Sequence, residues 1–146
     1  MSGKNQDTIC LLQECSAGCK MAMDSLAHMK NMVTDEQLLE IMNKYYDGHS
    51  QLEAKCRQKL NEYGNMDKEA NVFAKAMANI QSSLKMMVED DKHQAASILI
   101  DGCNMGIKSI SGFLNEYKGA DQESSAIAEK LRRLEENMIG DLQPFL

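Results

Sequence analysis

Proline is absent from the chain until position 144, and that absence constrains the fold more than any other feature. In a helix interior proline removes a hydrogen bond and clashes with the preceding turn, at a cost of about 3 kcal/mol. A chain without it, rich in Met, Ala, Leu, Lys, Glu and Gln, can run as long uninterrupted helices. β-Branched runs, which a sheet would favour, are missing. The apolar positions agree with helix. Ile9, Leu12, Cys15, Cys19, Leu26, Met29 and Val33 recur at the three-to-four spacing of one buried face. Leu38, Met42, Tyr45, His49, Leu52, Cys56, Leu60 and Tyr63 repeat it. A shorter stripe holds Phe73, Met77, Ile80, Leu84 and Met87. Two more follow, Ala95 to Tyr117 through Ile98, Cys103, Gly106/Ile107 and Ile110, then Ile127, Leu131, Leu134, Met138 and Leu142.

Polar residues at the ends of these stripes set the boundaries. Asp7 is expected to cap the first helix, and Thr34 with Gln37 reads as a capping box for the second. Gly64 and Gly119 read as helix stops, and Asp91 and Asp121 as caps. The spacing predicts helices over 7–33, 35–63, 67–88, 91–118 and 121–143, in one domain spanning 1–146. The order is long, long, short, long, long. Short turns make each long pair an antiparallel hairpin, with the short helix in the connection between them. One long crossover between two hairpins is the connection of ferritin-like bundles. The expected fold class is therefore all-α: a ferritin-like four-helix bundle whose long crossover carries a short fifth helix.

Composition excludes several functions. The formal charge of −6 and the lack of a basic block argue against nucleic acid or an anionic membrane as partner. Apolar runs are too short to span a bilayer. MSGKNQDT has no apolar segment behind a basic one, so no signal peptide is expected. Five cysteines, an odd number, fit reduced thiols in the cytoplasm better than a disulfide framework. No phosphate-binding glycine loop or nucleotide fingerprint is present.

Chemistry-bearing residues cluster around an internal repeat. CSAGCK at 15–20 and CNMGIK at 103–108 place Cys, Gly and Lys at the same offsets. Two related hairpins would match the first long helix to the third and the second to the fourth. A di-iron centre in such a bundle needs a Glu on each of two helices and Glu-x-x-His on each of the other two. The positions after the repeated glycines are Cys19 and Ile107, and the facing pairs are Tyr46/His49 and Glu135/Met138. Tyr46 follows Cys19 by 27 residues and Glu135 follows Ile107 by 28.

With CSAGC, CNMGI and the SLKMM segment at 83–87, the layout resembles a small bacterial branch of ferritin-like proteins of unknown function. Members carry a C-x-x-G-E segment in both halves, with the Glu as a candidate ligand. The resemblance implies the bundle fold and an ancestral metal site. Here Cys19 and Ile107 replace the two Glu, and only His49 and Glu135 remain of six expected ligands. Two ligands are too few for two iron ions, which speaks against oxidase or iron-storage chemistry.

The expected function is that of a non-enzymatic bundle with a degenerate di-iron site and no cofactor, in a structural or protein-interaction role. The alternative is a soft-metal protein holding Cu(I) or Zn through Cys15, Cys19, His49, Cys103, Glu135 and Met138, because thiolate and thioether ligands select such ions. Cys and Met are also ordinary core fillers. A third reading is a redox thiol, with His49 as base to Cys15 or Cys19. The methionines of the short helix, Met77, Met86 and Met87, read either as a lid on the bundle or as a surface for an unidentified protein partner or a second copy in a homodimer.

Overall fold

The computed structural model describes residues 3–64, 78 and 80–146. Among the described residues there are four long helices: α1 (Gly3–Lys30), α2 (Glu36–Glu62), α3 (Lys92–Glu116) and α4 (Gln122–Leu142). A short 3-10 turn, Gln143–Phe145, follows and contains the one proline. There is no strand among the described residues. The protein is an all-α bundle, as the stripes required.

Hydrogen bonds at the helix ends fix the directions. At one end, the Gly119 and Asp121 amides between α3 and α4 donate to the Asp7 carboxylate at 2.8 Å and the Thr8 hydroxyl at 2.9 Å near the start of α1. The end of α2 lies there too, where Lys59 meets Asp121 and Glu123, each at 3.1 Å. At the other end, the Asp90 amide donates to the Met32 carbonyl and Lys92 lies 3.6 Å from Asp35. The end of α2 and the start of α3 therefore lie at opposite ends of the bundle. Lys44–Asp141 and Lys59–Glu123 further show that α2 and α4 run antiparallel.

The stripes bury as expected. Leu12, Cys19, Met29, Leu38, Met42, Tyr45, Cys56, Leu60, Ile110, Leu131 and Leu142 are all nearly inaccessible. Packing of these faces, rather than helix propensity, stabilises the helices.

The ends differ from expectation in instructive ways. The first helix begins at Gly3, not Asp7, and stops at Lys30. Asp7 lies inside it and caps a backbone amide from across the bundle instead. The second helix is capped by Asp35, whose side chain accepts from the Leu38 amide at 2.9 Å. Thr34 turns its hydroxyl to Asp90 at 2.6 Å, so the capping box does not form. Asp91 and Asp121 do cap α3 and α4. Gly64 has φ +67°, the left-handed conformation that ends a helix cheaply in glycine.

Part of the expected short helix, 67–77 and 79, lies outside the described residues, Met77 included. Residues 80–85 are helical, so helix ends before the expected 88. Asp90, at φ +63°, turns the chain there. Ile80, Leu84 and Met87 are buried against the bundle, while Met86 and Val88 are exposed.

Candidate functional site

The centre of the bundle holds a polar pair. His49 on α2 and Glu135 on α4 are 1% and 7% exposed, and His49 Nε2 is hydrogen-bonded to Glu135 Oε1. The other ring nitrogen, Nδ1, lies 2.6 Å from the Tyr45 carbonyl, one turn earlier on α2. A carbonyl can only accept, so Nδ1 carries a hydrogen. Nε2 then faces a carboxyl oxygen, and one proton must sit between them. The pair is either imidazolium with carboxylate or imidazole with carboxylic acid. Burial alone would lower the His49 pKa, but the hydrogen bond and charge of Glu135 and the Tyr45 carbonyl outweigh it and raise the value. Imidazolium with carboxylate is the form this favours.

Glycine makes room for the pair. A Cβ on Gly106 of α3 would lie 3.4 Å from Glu135 Oε2, at the edge of close contact. A cavity of about 40 Å³ opens beside the pair, lined by Gly18, His49, Cys103, Gly106, Glu135 and Met138 among others, with Ile80 and Leu84 also against it. That volume admits a water or two. It is far below the roughly 300–1,000 Å³ of a typical small-molecule site.

Four of the five free cysteines are buried. Burial pushes the Cys15 and Cys19 thiols well up, reinforced in both by Cys56. Cys56 is pushed up to about 12 by burial and by Glu53. Cys103 is raised by burial, then by the charge of Glu135 and a hydrogen bond to it. Thiolate chemistry at neutral pH is therefore disfavoured at all four.

The sequence-predicted residues separate into three groups. His49, Glu135, Cys103 and Met138 share the cavity, and Cys19 stands within reach of the Glu135 charge. Cys15 sits deeper along α1, beside Cys56. Tyr46 and Ile107 are half-buried and are not among the cavity's lining residues. Cys19 and Ile107 are not equivalent: Cys19 is buried and Ile107 half-buried, while Cys15 and Cys103, and Gly18 and Gly106, are buried in both repeats. Among the described residues no three His, Cys, Asp or Glu side chains are arranged to hold a metal ion.

Two buried acids escaped the sequence reading, Glu14 and Glu53. Glu53 is 5% exposed and bonded to Arg57, with Lys20 at 4.0 Å. Glu135, named from the sequence as an inward position, is interior. Its phase was legible: Leu131, Glu135, Met138 and Leu142 step at four, three and four. No family model matches the chain, and no curated protein and no solved structure matches it.

Proposed function

We propose that this chain is a non-enzymatic, ferritin-like bundle in which a proton has taken the place of a metal between His49 and Glu135, and that it serves a structural or protein-interaction role in the cytoplasm. The observation that carries this is the orientation of His49. Its Nδ1–H donates to a backbone carbonyl while Nε2 points at a carboxylate. Metal-ligating histidines are oriented by the same kind of outer hydrogen bond, leaving the second nitrogen for the ion. Here a single proton satisfies both groups, and the remaining di-iron positions carry Cys19, Tyr46, Ile107 and Met138, a donor set that does not fit two iron ions. The opposite-end placement of residues 63 and 91 supports the crossover connection of that fold. Ile80, Leu84 and Met87 would act as its lid, and exposed Met86 and Val88 are the nearest surface for a partner or a second copy.

The test is elemental analysis of reduced, untagged protein after challenge with Fe(II), Zn(II) and Cu(I). Substoichiometric metal throughout is the expected result. Stoichiometric iron would overturn the proposal.

A second reading has its own observation. Cys56, from α2, joins Cys15 and Cys19 of α1 closely enough to raise both thiols. Thiol ligands suit Cu(I) or Zn, but no three such side chains among the described residues are arranged to hold an ion as they stand, so this reading needs the three to shift together on binding. Stoichiometric Cu or Zn that is lost in Cys19→Ala would favour this reading.

A further inference from the structure

The seam between α2 and α4 is closed near each end by ion pairs. Lys44 meets Asp141 at 3.2 Å near one end, and Lys59 meets Asp121 and Glu123 near the other. Arg57 and Arg132 are also paired, with Glu53 and Glu129. Three cations on these two helices remain: Lys55, Lys130 and Arg133. None of them pairs with a described residue, and all three line one groove in the middle of the seam. The groove is shallow and open to solvent, about 280 Å³ in volume, with the three cations exposed and no carboxylate among its lining residues. Gln51 and Asn137 bring two amides to it, and Gly48, Leu52 and Leu134 complete its walls. Gly48 lets the helices approach, because a Cβ there would meet Leu134 at 2.9 Å.

This arrangement runs against the grain of the chain. The net charge is −6, so carboxylates outnumber cations, yet three cations with no ion pair among the described residues line this groove and none of its lining residues is acidic; Glu62 and Glu123 lie only in the adjoining groove that Lys55 and Lys130 also border. Lys130 and Arg133, three residues apart on one helix, repel each other slightly. An anion would relieve that repulsion. Arg offers a planar fork for paired oxygens, Lys a mobile point charge, and the amides can donate to further oxygens. We propose that this groove binds a small molecule through a phosphate group. Its volume suits a phosphate with a short organic remainder, and the site is separate from the buried His49–Glu135 pair.

The test is titration with inorganic pyrophosphate at low ionic strength, followed by amide NMR. Saturable shifts confined to residues 48–55 and 130–137 are expected. Arg133→Gln and Lys130→Gln should each weaken binding about tenfold, the order of one lost charge-assisted hydrogen bond. Arg57→Gln, outside the groove, should leave it unchanged. Affinity should fall with added salt as the screening length shrinks from about 30 Å at 0.01 M to about 8 Å at 0.15 M. No saturable shift, shifts scattered over all exposed lysines, or equal weakening in Arg57→Gln would each overturn the proposal. Binding of polyglutamate without pyrophosphate would also overturn it, and would reassign the groove to an acidic protein segment.

Discussion

His49 and Glu135 are joined by a hydrogen bond inside the bundle although 86 residues separate them in sequence. Neither side chain has appreciable access to solvent. Each therefore depends on the other to offset the cost of leaving water.

Loss of either partner should cost far more than a surface substitution. Glu135→Ala leaves an uncompensated buried imidazole and should destabilise the protein by about 3 kcal/mol. The pair also sets a pH dependence. The folded His49 pKa is raised above the ordinary value near 6.5. Its contribution is complete below that value, and is lost as pH rises through the folded pKa, because the unfolded chain releases its proton first. Urea denaturation should show declining stability above about pH 6.5, and Glu135→Gln should flatten that decline. An identical slope in wild type and variant would sink the assignment.

Thiol reactivity should divide sharply. Cys15, Cys19, Cys56 and Cys103 are buried and raised, while Cys10 is only half-buried. A thiol reagent at neutral pH should label Cys10 in the native state and the other four only on unfolding. Rapid labelling of Cys15 or Cys19 would instead support the redox reading.

Glycines on the helices should respond to alanine according to the space around them. A Cβ on Gly112 or Gly140 would meet nothing within 4 Å. Each substitution should raise stability by about 0.5–1 kcal/mol through helix propensity. Gly48→Ala should gain less or lose, because its Cβ would press on Leu134 at 2.9 Å. Thermal melts of the three variants give the order directly.

Asp90 holds the turn before α3 against the turn between α1 and α2. Its carboxylate accepts from the Thr34 amide at 3.0 Å and hydroxyl at 2.6 Å, at φ +63°. Asp90→Ala loses both bonds and keeps the unfavourable φ, so it should melt lower than Asp90→Gly, which loses the bonds but relieves the backbone. These hydrogen bonds also hold its carboxyl below the usual value. Its contribution should persist above the ordinary Asp value near 3.9 and fade as pH drops through the lower folded one.

The helices were legible because periodic burial is local information. Leu38, Met42, Tyr45, His49 and Leu52 announce one face without reference to the rest of the chain. Asp91 and Asp121 were legible as caps for the same reason, since each bonds an amide three residues on. What escaped depends on partners distant in sequence. Asp7 serves Gly119, and Thr34 serves Asp90, so their local capping signals were overridden by tertiary contacts. Glu135 was legible as an inward position from its helix phase, but its direct bond to His49 was not, because the two lie on different helices. The groove at Lys55, Lys130 and Arg133 was invisible to any reading for a contiguous basic block, because its charges come from two helices.

The opposite-end placement of α2's close and α3's start has a kinetic meaning. Each hairpin closes through a turn of a few residues, so its contacts are cheap in chain entropy and can form early. The His49–Glu135 bond joins one hairpin to the other and must wait for the two halves to dock. Interactions made after the rate-limiting barrier slow the exit from the native state without hastening arrival. Where docking follows that barrier, the central pair acts as a latch on unfolding, and its strength sets how long a folded molecule lasts rather than how quickly one is made.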